Sequence, residues 1–367
     1  MRILIGCGGT GGHIYPAIAI ADAMKAKHAS VEFLFVGKKG GMEMEIIPTT
    51  GYPIIGIDIK GLQRKKIIPN LTLPFLLLKS LYQARKIIRN FKPNIVIGTG
   101  GYACLPTLLA AYTQGIPTLI QEQNSVAGLT NRLLARLVTK ICVGYPAVAF
   151  PCAKKKIVVT GNPVRPSIYT PKLAQGTARD HFNLVQYKKC LLVIGGSGGA
   201  DQLNTTILAT IPYLHGLGLQ ILWITGKRYF PVIQHHLTTQ LQGGITRCYP
   251  FVDHMAMAYA AADMVVSRAG ALSIAELCVA QKPTILVPSP HVVHDHQTKN
   301  SLPLVAQGAA ISLADKDCSQ LLLVEIVSLL HNKTKQMAMI QQMEPFKVLH
   351  THALDKITEE IWRLAKT

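Results

Sequence analysis

Acidic side chains are what this chain has least of: 19 Asp and Glu stand against 38 Lys and Arg, a formal charge of +19. So lopsided a balance calls for an acidic partner, either nucleic acid or an anionic membrane. Aromatic residues are also few, 6% of the chain, and the basic segments lack the interleaved stacking platforms on which nucleic-acid readers rest. Nucleic acid is therefore not expected as a partner. Eight cysteines occur singly, with no C-x-x-C pair, which excludes a disulfide framework and a zinc ribbon and suits a reducing cytoplasm. No apolar run reaches the roughly 18 residues of a spanning helix. A strand signal, Arg2-Ile3-Leu4-Ile5, starts almost at once, so no signal peptide is expected. With 49% hydrophobic and 16% charged residues the chain is neither disordered nor fibrous, and 367 residues suit two domains.

Glycine, by contrast, is concentrated. Gly6 to Gly12 (GCGGTGG, followed by His13) and Gly195 to Gly199 (GGSGG) each follow a short β-type run and precede a helical pattern. A loop without side chains lets backbone N–H groups approach an anion, and the helix behind it adds a positive end. Two such loops suggest two nucleotide-type half-sites. Apolar β-branched runs recur between helical patterns: Val31 to Val36, Asn94 to Ile97, Thr118 to Ile120 and Ile141 to Val143, then Cys190 to Ile194, Gln220 to Ile224, Asp263 to Val266 and Thr284 to Val287. Alternation of this kind predicts an α/β fold with parallel sheets, whose ligands sit beyond the carboxyl ends of the strands. Gly161-Asn162-Pro163-Val164-Arg165-Pro166 reads as a linker between domains of residues 1–162 and 163–343. The stretch 344–367 reads as a helix able to pack on either domain, including back on the first.

Gly6-x-Gly8-x-x-Gly11 formally matches the dinucleotide fingerprint, which would make the chain an oxidoreductase. That fingerprint also wants an acid after the second strand to hold the ribose, and here Gly37-Lys38-Lys39 follows. NAD is disfavoured; NADP stays open, because the lysines suit a 2′-phosphate. A Walker loop fails, since neither glycine cluster is followed by Gly-Lys-Ser/Thr. His291-x-x-His294-Asp295-His296 has metal-binding residue types but not the helical spacing of zinc enzymes, and no metal is expected there.

Between Asp58 and Asp180 the only acid is Glu122. Within this basic half, residues 60–92 combine many cations with an apolar run. At about 100° per residue, Leu77, Leu81, Ala84 and Ile88 form a core stripe. Phe75, Leu78 and Tyr82 fall opposite it, edged by Lys79, Arg85, Lys86 and Arg89. An apolar strip with basic edges suits a bilayer interface with anionic headgroups; the alternative is a solvated basic face with its apolar residues covered by a loop.

Taken in order, Gly8-Gly9-Thr10-Gly11-Gly12-His13, Gly98-Thr99-Gly100-Gly101-Tyr102, Glu122-Gln123-Asn124, Gly161-Asn162-Pro163-Val164-Arg165, Gly195-Gly196-Ser197 and Arg268-Ala269-Gly270-Ala271-Leu272-Ser273-Ile274-Ala275-Glu276 closely resemble the MurG family. Its members are UDP-N-acetylglucosamine: undecaprenyl-pyrophosphoryl-N-acetylmuramoyl-pentapeptide N-acetylglucosaminyltransferases. The resemblance is collinear over nearly the whole chain. It implies a GT-B glycosyltransferase of peptidoglycan synthesis, two Rossmann-like domains facing a central cleft, with an amino-terminal acceptor domain and a carboxyl-terminal donor domain. The implied substrates are UDP-N-acetylglucosamine and undecaprenyl-linked MurNAc-pentapeptide. No cofactor is implied, and the implied place is peripheral, on the cytoplasmic face of the bacterial inner membrane, against anionic lipids.

His13 is the first candidate for the base that deprotonates the acceptor hydroxyl, because an imidazole near its ordinary pKa accepts a proton at neutral pH. Packing against the following helix is its alternative. Glu122 is the rival base, or else a salt-bridge partner. The family often has histidine immediately before this glutamate; here Gln121 stands there, so no role of that histidine carries over. By resemblance the donor is met by Thr10, Gly11, Gly12, Asn124, Arg165, Ser197, Val252, Ala271, Leu272, Ser273, Glu276 and Gln297, with Val252 at the uracil, Glu276 at the ribose and Gln297 at the sugar hydroxyls. Glu276 has a bland alternative, an exposed first-turn glutamate favoured by the helix dipole. Gly100, Gly101 and Tyr102 are assigned to the acceptor pyrophosphate. A related GT-B transferase with another lipid acceptor remains an alternative.

Overall fold

The structure, a computed structural model, describes residues 1–61, 72–169, 173–196, 199–239 and 244–366. The chain divides into two compact units, Met1–Val164 with Leu349–Thr367, and Arg165–Val348. In the first, seven parallel strands, β1 (Arg2–Gly6), β2 (Glu32–Lys38), β3 (Ile54–Ile57), β4 (Ile95–Gly98), β5 (Thr118–Glu122), β6 (Lys140–Val143) and β7 (Ile157–Val159), lie in the order β3-β2-β1-β4-β5-β6-β7. In the second, β8 (Cys190–Ile194), β9 (Gln220–Ile224), β10 (Thr246–Tyr249), β11 (Met264–Ser267), β12 (Thr284–Leu286) and β13 (Ile311–Ser312) form a six-stranded parallel sheet in the order β10-β9-β8-β11-β12-β13. Both are doubly wound sheets.

Helices on both faces bury the central strands completely, which explains why their sequences are unbroken apolar runs rather than alternating ones. The strands that such runs do not reveal are β3, β7, β10 and β13, the four sheet edges. Each has two to four residues, at most one of them fully buried; β3 (IIGI) and β7 (IVV) are short apolar runs that the sequence reading does not include, whereas β10 (TRCY) and β13 (IS) carry no apolar run at all. Elsewhere sequence and structure differ by a residue or two at strand ends.

Strand order reverses at β1 in the first unit and at β8 in the second. Gly6 is level with Val36 on one side and Gly98 on the other. Chain leaving β1 and β4 therefore diverges to opposite faces, and a crevice opens beyond their carboxyl ends. The same divergence follows β8 and β11.

The carboxyl-terminal stretch is two helices, Glu344–Thr351 and Ala353–Ala365, and not one, because the chain turns at His352. The second helix lays Leu354, Ile357, Ile361 and Leu364 into the core that Ile14, Ile18 and Met24 of helix Gly11–Lys27 share. Trp362 stacks on His28 at 3.7 Å, and Lys27 reaches both Asp355 and Thr358. Just before it, buried His350 accepts the Asn162 N–H at Nδ1 (3.0 Å), while Gly161, at φ +86°, packs against the Leu349 carbonyl. The Gly-Asn pair of the expected linker is thus a packed corner.

Burial pushes His350 down from 6.5 to about 4. The unfolded chain takes up this proton near 6.5, and the folded chain only near 4. Stability is complete above 6.5 and drains as pH falls through that window, by roughly 3 kcal/mol at about 1.4 kcal/mol per unit. Urea unfolding of the parent and of His350→Asn, which keeps an acceptor for Asn162, should show the parent losing that much more between pH 7 and pH 4; parallel losses would contradict the assignment.

Candidate active site

In the first unit, the loop after β1 and the loop after β4 meet backbone to backbone. A Cβ on Gly101 (φ +90°) would overlap the Gly8 carbonyl, and one on Gly100 (φ +112°) would run into the His13 ring. The Cys104 thiol fastens the underside, lying 2.8 Å from the Gly6 carbonyl and 2.9 Å from that of Gly100. Burial pushes its pKa up to about 12, so it stays a donor. Tyr102 extends outward, 47% exposed, beside Gly61.

His13 is half-buried at the start of helix Gly11–Lys27, capped by Thr10 in extended conformation. Its Nδ1 is 3.1 Å from the Gly8 carbonyl and 3.4 Å from the Thr10 hydroxyl. A carbonyl offers only lone pairs, so this contact places the imidazole proton on Nδ1 and the basic lone pair on Nε2. Its own carbonyl accepts the Thr99 hydroxyl at 2.7 Å.

Glu122 is 1% exposed at the end of β5. Its Oε1 accepts the Asn124 N–H (3.0 Å) and side-chain amide (3.2 Å), and its Oε2 accepts the Gly128 N–H (2.9 Å) and the Asn131 amide (2.8 Å). Four donors fill the roughly four lone-pair sites of a carboxylate. This geometry orients Asn124 and the loop to residue 131. Behind it Gln121, at the family's histidine position, is fully buried in an amide network with Gln123 and Asn162.

The second unit gathers Arg165, Val252, Asp253, Tyr259 and Glu276. Arg165 donates to the Asp253 carbonyl (Nη1, 3.4 Å) and pairs with Glu276 (3.7 Å). The Tyr259 hydroxyl donates to Glu276 Oε2 at 2.9 Å. Glu276 lies in the second turn of helix Ala271–Ala280 with its side chain only 14% exposed, so it is not the exposed first-turn glutamate of the bland reading. Burial raises its carboxyl above the ordinary value, opposed by Arg165 and the Tyr259 hydroxyl. Ala271, Leu272 and Ser273 form the helix's first turn, which carries no acidic side chain. Arg268 is buried beneath, donating to the Val287 and Pro288 carbonyls and pairing with Asp315. Gln297 accepts the Ser289 N–H at 2.8 Å. Gly196 and Gly199 take positive φ after β8; Ser197 lies outside the described residues.

Residues 3–143 match the model of the glycosyltransferase family 28 N-terminal domain, and residues 190–353 that of the family 28 C-terminal domain. The chain belongs to glycosyltransferase family 28. Within family 28 it groups with the MurG enzymes. A relative from Parabacteroides distasonis is 43% identical over 363 residues, 99% of this chain and 98% of its own length. One from Porphyromonas gingivalis is 44% identical over 369 residues, 100% and 96% of the two chains. Both are named UDP-N-acetylglucosamine--N-acetylmuramyl-(pentapeptide) pyrophosphoryl-undecaprenol N-acetylglucosamine transferase. The crystal structure of Acinetobacter baumannii MurG matches with a TM-score of 0.72 at 27% identity, over 99% of both chains. The fold is GT-B, and NADP oxidoreduction is not favoured.

The sequence reading passed over three residues of these sites: Glu43, Tyr259 and Arg268 as a side chain. Glu43 is fully buried and takes the Gly9 N–H, so a loop amide that the fingerprint reading reserves for phosphate is already spent on an internal carboxylate. Its only signal was a glutamate after Gly40-Gly41-Met42. Tyr259 reads as an ordinary core aromatic.

Removing the partner of a buried guanidinium leaves its charge uncompensated, at a cost of roughly 3 kcal/mol or more. Asp315→Ala should therefore lower the denaturant midpoint by that equivalent, and Arg268→Met with Asp315→Leu should recover much of it. A single variant as stable as the parent would refute the structural role of the pair.

Proposed function

We propose that the chain transfers N-acetylglucosamine from UDP-N-acetylglucosamine to the 4-hydroxyl of undecaprenyl-pyrophosphoryl-N-acetylmuramoyl-pentapeptide, with inversion at the anomeric carbon, forming the lipid-linked disaccharide of peptidoglycan. The observation that carries this is full-length likeness to relatives of that name, with a donor-type constellation, Arg165–Glu276–Tyr259, in the unit that matches the family's C-terminal domain.

Inversion needs one displacement. His13 Nε2 takes the proton of the acceptor hydroxyl, whose oxygen bonds to the anomeric carbon as the bond to UDP breaks on the opposite face. Negative charge then gathers on the diphosphate. The first turn of helix Ala271–Ala280, the Gly195–Gly199 loop and Arg165 are the groups suited to meet it. Glu276 accepts from the ribose hydroxyls, Val252 borders the uracil, and Gln297 reads the sugar. Glu122, with its lone pairs committed, sets Asn124 toward the sugar and leaves the base role to His13. Thr10, Gly11 and Gly12 border the donor sugar, and Gly100, Gly101 and Tyr102 meet the acceptor pyrophosphate.

The acceptor is lipid-linked, and helix Leu73–Phe91 is suited to bring the enzyme to it. Phe75, Leu78 and Tyr82 are 75%, 67% and 70% exposed on its outer side, while Ala84, Ile87 and Ile88 are buried. Lys86 and Arg89 are exposed beside the strip; Lys79 is paired with Asp58, and Arg85 reaches Thr113. No helix among the described residues is long and apolar enough to cross a membrane. Peripheral docking on anionic lipid at the cytoplasmic face is the reading that uses this strip.

Labelled UDP-N-acetylglucosamine with a lipid-linked muramyl acceptor should yield labelled lipid, and UDP-glucose should be poor; no labelled lipid would refute the assignment. His13→Ala should lose about 10²–10⁴-fold in turnover with donor affinity kept. Glu276→Ala should lose about 10–100-fold in donor affinity, the equivalent of a hydrogen bond to a charged group. Equal loss of donor binding in both would sink the role given to His13. Replacing Phe75, Leu78 and Tyr82 together by Ser should abolish flotation with anionic vesicles while activity on a short-chain soluble acceptor persists.

A further inference from the structure

We infer that Glu43 is the positioning residue for His13: acting through the backbone of the first glycine loop, it fixes which ring nitrogen of His13 carries the proton and which keeps the lone pair. The inference rests on His13 as the base of the proposed transfer.

Glu43 begins helix Glu43–Thr49, yet its side chain is turned inward and fully buried. Oε1 accepts the Lys38 N–H at the end of β2 (2.8 Å), and Oε2 accepts the Gly9 N–H (3.1 Å). Bare backbone closes around it: a Cβ on Gly8 or Gly41 would enter the carboxylate, and one on Gly37 would run into its Cγ. Two loop glycines and one from β2 are thus used to seat one anion. A buried carboxylate is costly to desolvate, and here backbone N–H groups compensate it.

The seat has a consequence for His13. Gly8 and Gly9 take φ +142° and +85°, values that other residues rarely adopt, and Glu43 holds them there through the Gly9 N–H. In that conformation the Gly8 carbonyl faces His13 Nδ1 at 3.1 Å while Gly101 packs against the same carbonyl. Nδ1–H is thereby tied down, and Nε2, on the side of Gly100, keeps the lone pair. In a Ser-His-Asp triad a buried carboxylate orients the imidazole by direct contact. Here the same orientation passes through one peptide unit. A glutamine at position 43 would offer one acceptor oxygen and set its NH₂ against the other N–H donor, releasing either Gly9 or Lys38.

The test is Glu43→Gln in the full-length protein, read four ways. Turnover should fall roughly 10–100-fold, as expected of a small misplacement of a reacting group. UDP affinity, measured by calorimetry, should not change. In a His13→Ala background the same substitution should cost nothing further. With ¹⁵N-histidine labelling, His13 of the parent should show a protonated Nδ1 and the variant a mixture of tautomers. The inference is overturned by full turnover in a folded variant, by an equal loss in the His13→Ala background, or by an Nε2–H tautomer in the parent; the last reading needs no variant to fold. If His13→Ala itself keeps its turnover, the base assignment fails, while the tautomer measurement still decides what Glu43 does to the ring.

Discussion

Backbone contact between the loops after β1 and β4 is the constraint on which the first unit's chemistry depends. Gly101 lies against the Gly8 carbonyl, and Gly100 against the His13 ring, at distances that a single methyl group would break. The glycines are therefore explained first by packing and only second by ligand. Cys104 and Glu43 complete the arrangement from below, one bonding to carbonyls and the other to N–H groups.

Two buried carboxylates in this unit share a manner of working. Glu122 draws Asn124, Gly128 and Asn131 around itself, and Glu43 draws Gly9 and Lys38. In a half of the chain so poor in acids, each anion is an internal template that shapes a loop by collecting its N–H groups. In the second unit a different economy holds. Arg165 and Glu276 offset each other's charge and Tyr259 adds a hydrogen bond, so the groups suited to a diphosphate and a ribose stand assembled around one carboxylate.

Much of this was legible beforehand. Central strands announced themselves because both their faces are buried, which forces unbroken apolar runs such as Cys190 to Ile194. The outward strip on helix Leu73–Phe91 followed from helical spacing, and Phe75, Leu78 and Tyr82 are indeed exposed. Of the edge strands, β10 (TRCY) and β13 (IS) have no apolar run to show them, and β3 (IIGI) and β7 (IVV) have runs of only three or four residues, too short to stand out from loop. Nor was the break at His352, where both flanking segments keep good helix formers.

The sequence by itself determined the fold class, the family and the short runs that line each crevice, because collinear motifs and hydrophobic periodicity are local properties that survive without coordinates. Tertiary structure alone decided what each charged or polar side chain does. Glu122 and Glu43 look alike in a sequence, an acid near a glycine or an amide. Only the directions of surrounding N–H groups, set by residues up to 34 positions away, make one the organiser of residues 124–131 and the other the support of the loop that holds His13. Hydrogen bonds are directional and act over about 3 Å, so their pattern exists only once the chain has brought its distant parts together.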